Sequence, residues 1–129
     1  MIQTKGYATY DKDAKFVPFE FERREVGPND ILIDIEYAGI CHSDIHTAKN
    51  EWEAMMPTVY PVVPGHEIVG RVSQVGETVT KFKVGDVAGI GCFVDSCREC
   101  SPCKDGFQQF CYKGAAYTYS GTYMDRVTP

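Results

Sequence analysis

Four cysteines in the second half of the chain have the spacing of a metal-binding site. The run C-x2-C-x2-C-x7-C is formed by Cys97, Cys100, Cys103 and Cys111. Thiolates two residues apart can turn inward on one loop, and tetrahedral zinc takes four sulfur ligands at about 2.3 Å. Basic residues that would offset the thiolate charge lie alongside, namely Arg98, Lys104 and Lys113. The cluster predicts a closed structural zinc site that holds together a lobe at about residues 92–113 and performs no chemistry.

Two other interpretations of the clustered cysteines fit this spacing less well. Disulfide closure across two residues is geometrically poor outside redox motifs, and the compartment is expected to be reducing. The bacterial iron–sulfur run has its fourth cysteine after three residues, followed by proline, whereas Cys111 follows after seven and precedes Tyr112. Zinc is therefore favoured, with an electron-transfer iron–sulfur protein as an alternative. Cys92 falls outside the spacing and is predicted to be a small buried hydrophobe.

A second group of chemically capable residues precedes this cluster. It comprises Cys41-His42-Ser43-Asp44-Ile45-His46 and Gly65-His66-Glu67. A catalytic zinc takes three protein ligands and leaves a fourth position open, and Cys41 and His66 are candidates for two of the three. Neither is diagnostic alone, because a lone cysteine is more often buried and inert and a lone histidine more often a surface or core residue.

Ser43 and His46 are three residues apart, which places both on one face of a helix. A hydroxyl followed by an imidazole on one face can pass a proton outward. The alternative is that Ser43 only caps the helix and that His46 is only solvated.

Composition limits the class of protein. The 129 residues suit one domain, and 43% hydrophobic with 24% charged residues exclude a disordered or fibrous chain. No apolar run approaches the roughly 18 residues that cross a bilayer, and the first ten residues lack a secretory signal. The net charge of −5 argues against a nucleic-acid partner. A cytoplasmic protein with no membrane or nucleic-acid partner is expected.

The surrounding elements are predicted to be mostly short strands. Residues 15–23 place Phe19 and Phe21 on one face, and Ile31, Ile33, Ile35 and Tyr37 alternate as in a half-buried strand. Further strands are predicted at 68–75 and 86–90, with turns at 27–30, 75–78 and 83–86.

Two short helices are predicted between these strands. One begins near Ser43 and Asp44, with the hydroxyl as cap, and the other begins with Ser101 as cap and Pro102 at the first helical position. Short strands joined by irregular loops indicate a mainly β fold with short helices, built as a small, partly open β-barrel.

Three motifs together carry a family resemblance. They are Gly65-His66-Glu67-x2-Gly70-x5-Gly76-x2-Val79, Cys41-His42-Ser43-Asp44-x-His46, and the four-cysteine run. The chain resembles the N-terminal catalytic part of zinc-dependent medium-chain alcohol dehydrogenases. Residues 60–67 and 91–97 resemble the cinnamyl-alcohol-dehydrogenase branch, which includes bacterial aldehyde reductases. The resemblance implies one GroES-like catalytic domain over residues 1–129.

The resemblance also implies a role for each matching residue. Cys41 and His66 would bind catalytic zinc, Glu67 would lie next to it, and Asp44 would orient His66. Ser43 would contact the substrate oxygen and start a proton relay that His46 completes. His42 would lie near the cofactor pyrophosphate, and Trp52 would form a pocket wall, or else be a core residue. The four clustered cysteines would bind structural zinc.

The implied activity is reversible hydride transfer between NAD(P), usually NADP, and a small alcohol or aldehyde. The family's catalytic zinc has two cysteines and one histidine as ligands. By resemblance, the second cysteine, the closing barrel strands and the Rossmann cofactor domain are expected beyond Pro129. The 129 residues alone are then expected to be inactive, and the full-length enzyme to be a homo-oligomer. The alternative is a non-catalytic zinc-binding module that binds partners through an unpaired sheet edge.

Overall fold

The computed structural model describes residues 1–119. The strands are β1 (Ile2–Ala8), β2 (Val17–Arg23), β3 (Ile31–Ala38), β4 (Ile68–Val75), β5 (Val87–Ile90), β6 (Phe93–Asp95) and β7 (Ala116–Tyr117). The helices are α1 (His42–Ala48), α2 (Ser101–Lys104) and a 3-10 turn at Gln108–Phe110. Within residues 1–119, no helix has the length and apolarity to cross a membrane.

The strands pair in three antiparallel sheets. β1 pairs with β2, β3 with β4 and β4 with β5, and β6 with β7. These sheets do not close into a barrel over the described residues, which confirms a mainly β, open architecture with few helices.

The sheet of β3, β4 and β5 is the frame for the candidate site. Val72 and Ala88 are buried on this sheet, and Gly70 lies opposite Ile35. A side chain at Gly70 would collide with the carbonyl oxygen of Asp34, so the two strands can approach this closely only at a glycine. The pairing of β3 with β4 ends where Ala38 lies opposite Ile68. The segments at 39–41 and 65–67, which continue from this pair, therefore lie next to each other.

The predicted alternation in β3 is not observed, because Leu32 is half-buried like its two neighbours. Ile31 and Ile33 are half-buried, but Ile35 is 59% exposed and Tyr37 is 71% exposed. The register shifts between Ile35 and Tyr37, and such an irregularity breaks the period of two. Ile35 also lies opposite Gly70, which has no side chain to cover it.

The sheet of β1 and β2 supports the segment that leads into the site. Phe19 and Phe21 share a face as predicted, with ring centroids 5.7 Å apart. Beyond β1, Thr9 and Val62 exchange two backbone hydrogen bonds of 3.0 Å, and both residues are almost fully buried. This bridge anchors the chain four residues before His66.

Both helices begin at residues other than the predicted caps. Cys41 is the N-cap of α1 and Cys100 is the N-cap of α2, so the assignments of Ser43 and Ser101 as caps were wrong. In α1, the Asp44 side chain accepts a 3.0 Å hydrogen bond from the Cys41 N–H, which fixes the helix start before Ser43. In α2, Pro102 is the second helical residue rather than the first.

Candidate metal centres

The four clustered cysteines converge on one space. The Sγ atoms of Cys97, Cys100, Cys103 and Cys111 all lie within 4.8 Å of one another. Cys103 Sγ is 3.8 Å from Cys97 Sγ and 3.5 Å from Cys100 Sγ. Four tetrahedral ligands at about 2.3 Å from an ion would be about 3.8 Å apart. All six cysteines of the chain are free, so the cluster has the spacing of a four-thiolate site and not of disulfides.

Backbone N–H groups favour the thiolate form in this cluster. Hydrogen bonds from the N–H groups of Glu99 and Cys100 hold the pKa of Cys97 at about 6. The N–H of Tyr112 is the main cause of a lowered pKa at Cys100. Because thiolates are the metal-binding form, Cys97 and Cys100 are the two ligands favoured for a cation, whereas burial and the neighbouring cysteines raise the pKa of Cys103.

Two of the basic residues around the cluster have acidic partners. Arg98 pairs with Asp95 at 2.7 Å, and Lys113 pairs with Glu99 at 2.9 Å. Their charges are therefore shared with carboxylates as well as with the thiolates. Lys113 still has a raised pKa, due first to Glu99 and in smaller part to the thiolates of Cys97 and Cys111.

A second set of potential metal donors lies at the end of the β3–β4 pair. Cys41, His66 and Glu67 each offer one donor atom, and these atoms lie within 4.8 Å of one another. Cys41 lies directly before α1, and the pair at 66–67 lies directly before β4. The Gly39 N–H donates to the Glu67 carbonyl at 2.8 Å and joins the two segments.

Asp44 holds the His66 ring in a fixed orientation. His66 Nδ1 lies 2.9 Å from Asp44 Oδ1, and both residues are buried. An ionised carboxylate only accepts, so Nδ1 donates the proton and Nε2 keeps its lone pair. The second carboxylate oxygen of Asp44 accepts from the Cys41 N–H. One buried carboxylate therefore orients both the imidazole and the backbone of the cysteine.

Ser43 lies among these donor atoms. Its Oγ is 3.1 Å from Cys41 Sγ and 3.4 Å from His66 Nε2. His46 is one turn further along α1, and its Nδ1 contacts a carboxylate oxygen of Glu51. Sequence reasoning missed Glu51, because Asn50, at φ +55°, turns the chain back beyond the helix and no helical spacing indicates it.

Aromatic side chains border the second donor set. The Trp52 ring lies 5.2 Å from His46 and 6.1 Å from Tyr119, measured between centroids. Tyr119 stacks on His66 at 4.0 Å with an interplanar angle of 26°. Trp52 is half-buried beside the donor set rather than in the core. Tyr119 was not predicted, because its segment had only the composition of a loop.

The remaining two predicted positions lie outside these donor sets. His42 is exposed on α1, and its ring is 4.7 Å from that of His46. Cys92 is exposed, so its prediction as a buried hydrophobe was wrong. It lies in the short connection between β5 and β6, where its carbonyl accepts from the Thr118 N–H and its side chain faces outward.

The sequence has many relatives among dehydrogenases. It is 52% identical over 126 residues to NADP-dependent alcohol dehydrogenase C 1 of Mycolicibacterium smegmatis, covering 97% of this chain and 35% of the relative. It is 48% identical over 127 residues to cinnamyl alcohol dehydrogenase 2 of Rauvolfia serpentina, covering 98% and 34%. The chain thus spans about one third of the length of the curated relatives it matches.

The fold is also shared with solved structures. The crystal structure of CAD from Helicobacter pylori complexed with NADP(H) superposes with a TM-score of 0.87 at 53% identity, covering 95% of this chain and 34% of that one. The profile of the family described as "Alcohol dehydrogenase GroES-like domain" matches residues 27–128. The chain therefore belongs to the alcohol dehydrogenase GroES-like family.

Proposed function

We propose that these residues form the metal-binding catalytic part of a zinc-dependent alcohol dehydrogenase or aldehyde reductase. The reaction is reversible hydride transfer between NADP and a small alcohol or aldehyde. One observation carries the proposal: Cys41 and His66, distant in sequence, present donor atoms to one space in a chain of this family, with Asp44 behind the imidazole. That arrangement matches the needs of an open catalytic site rather than a closed structural one.

The donor set fits zinc. Sulfur and imidazole nitrogen are preferred zinc ligands, and the carboxylate of Glu67 is a third donor within reach. Zinc held there supplies Lewis acidity toward the oxygen of an alcohol or aldehyde. The four-cysteine cluster fits a second, structural zinc.

The chain's own residues provide a route for the substrate proton. Ser43 Oγ lies beside both Cys41 Sγ and His66 Nε2, so an alcohol oxygen among these atoms is within reach of its hydroxyl. As the substrate proton moves to Ser43 Oγ, the Ser43 hydroxyl would release its own proton toward His46, one turn further along α1, in the relay that the family resemblance implies. A carboxylate oxygen of Glu51 contacts His46 Nδ1 at the outer end of this route. In aldehyde reduction the proton follows the reverse path.

Trp52 and Tyr119 border the substrate space, and exposed His42 is proposed to face the cofactor pyrophosphate.

For the whole enzyme we propose cytoplasmic residence and a homo-oligomeric state. The first rests on a sulfur spacing that fits a metal rather than disulfides, and the second rests on the family resemblance.

Cobalt substitution tests the catalytic assignment, because thiolate ligands give Co²⁺ an intense charge-transfer absorption. The metal-free chain is titrated with Co²⁺ alongside Cys41→Ser and His66→Ala variants. We expect one tight ion that both variants retain and one weaker ion that both lose. A single ion, or a second ion insensitive to both substitutions, would contradict the proposal.

A further inference from the structure

Gly39 lies against the side chain of Glu67. A Cβ atom at this position would be 2.5 Å from Glu67 Oε2, 3.0 Å from its Cβ and 3.3 Å from its Cδ. Real Cβ atoms essentially never approach a heavy atom closer than 3.0 Å. The Glu67 side chain therefore occupies the space that any side chain at position 39 would need.

The backbone does not require glycine here. The positive-φ glycines among the described residues are Gly65, Gly85, Gly106 and Gly114, and Gly39 is not one of them. Gly39 is also exposed to solvent, so no core packing excludes a methyl group. The remaining constraint at this position is the approach of Glu67.

The position of the Glu67 carboxylate matters for the second donor set. Its Oε1 lies 3.8 Å from His66 Nε2, the nitrogen that is free to bind an ion, and the carboxylate lies within 4.8 Å of Cys41 Sγ. We propose that Gly39 is a positioning residue that leaves room for the Glu67 carboxylate among these metal-binding atoms. The inference rests on the proposed function, since it needs an ion at this centre.

A methyl group at position 39 is expected to act on the metal site more than on the fold. The carboxylate is the flexible end of its side chain and can rotate away from the methyl, which relieves the 2.5 Å contact at little cost. The 3.0 Å contact to Glu67 Cβ needs only a small shift. The result is a folded chain whose carboxylate has left the donor set.

Cobalt titration of the metal-free chain tests this position. Gly39→Ala is compared with Gly91→Ala, because Gly91 is exposed, has no positive φ and would place a Cβ in open space. We call the Co²⁺ ion that is lost in Cys41→Ser the Cys41-dependent ion. We expect Gly39→Ala to lower the affinity for this ion about tenfold, at the lower end of the range for residues outside the ligand set. The affinity for Co²⁺ at the four-cysteine cluster and the thermal unfolding midpoint should stay unchanged. Gly91→Ala leaves both ions unchanged.

A double-mutant cycle with Glu67→Ala tests whether Gly39 acts through Glu67. In that background, Gly39→Ala is expected to cause no further loss of affinity. Equal affinity of Gly39→Ala and the unsubstituted chain would overturn the inference, as would a loss that persists without the Glu67 carboxylate. Unfolding of Gly39→Ala alone, with Gly91→Ala folded, would also overturn it. Absence of the Cys41-dependent ion from the unsubstituted chain would instead refute the proposed function, and the inference with it.

Discussion

Replacing Asp44 with asparagine tests how the second donor set is held. In the folded chain, this carboxylate accepts one hydrogen bond from His66 Nδ1 at 2.9 Å and one from the Cys41 N–H at 3.0 Å. An asparagine of the same shape has a single oxygen, so one of the two donors must face its NH2 group. Asp44→Asn therefore either leaves one donor unpaired or makes the imidazole change tautomer, which puts the proton on Nε2 and removes the lone pair that would bind an ion.

The size of the effect follows from burial. Asp44 is 8% exposed and His66 is 6% exposed, so water cannot replace the lost partner. An unsatisfied buried donor costs about 1–3 kcal/mol, so the free energy of unfolding of the metal-free chain should fall by at most that amount, and by less where the imidazole changes tautomer. Loss of a partner outside the ligand set weakens metal binding about 10–100-fold, which is about 1.4–2.8 kcal/mol.

The assay combines urea unfolding of the metal-free chain with titration of the Cys41-dependent Co²⁺ ion. Asp34→Asn is the matched control, because Asp34 is an exposed carboxylate that accepts a 3.0 Å hydrogen bond from Ser73. The control should change the free energy of unfolding by less than about 0.5 kcal/mol and leave both ions unchanged. Co²⁺ affinity of Asp44→Asn within about twofold of the unsubstituted chain would refute the reasoning, because tenfold is the least that the lost contact predicts.

Three further predictions follow from other parts of the molecule. In the metal-free chain, Cys97 should react with iodoacetamide with a midpoint near pH 6, as its lowered pKa implies, and lose reactivity below it; a midpoint above pH 8 would contradict this. Cys103→Ser should lose the tight zinc measured by elemental analysis and keep the Cys41-dependent ion, and retention of both ions would contradict the four-thiolate site. Gly70→Ala should destabilise the chain in urea by about 3 kcal/mol, because its methyl meets the backbone of Asp34, and a loss below about 1 kcal/mol would contradict that contact.

The four-cysteine cluster could be predicted from sequence because its geometry is local. Cys97 and Cys100 precede α2 and Cys103 lies in it, so their close spacing in sequence brings the sulfur atoms together. The second donor set is different, since Cys41 and His66 meet only through the pairing of β3 with β4. Residue types and spacing made each residue a candidate. The family resemblance then predicted that both bind the same ion.

The failures have physical causes that spacing does not encode. Ser43 has the residue type of a helix cap, but the Asp44 carboxylate binds the Cys41 N–H and starts the helix earlier. Tyr37 fits a half-buried alternation, but a register shift in β3 leaves it exposed. Glu51 reaches His46 only because the chain reverses after α1. Each error arises where one contact outweighs a local preference.

Crystals of the chain grown with zinc, measured at the zinc absorption edge, would test the central claim most directly. Two anomalous peaks are predicted for each chain. One peak should lie among the four clustered sulfur atoms at about 2.3 Å from each, and the other at about 2.0–2.3 Å from Cys41 Sγ and His66 Nε2. A peak at the cysteine cluster, with none between Cys41 and His66 under zinc excess, would contradict the account.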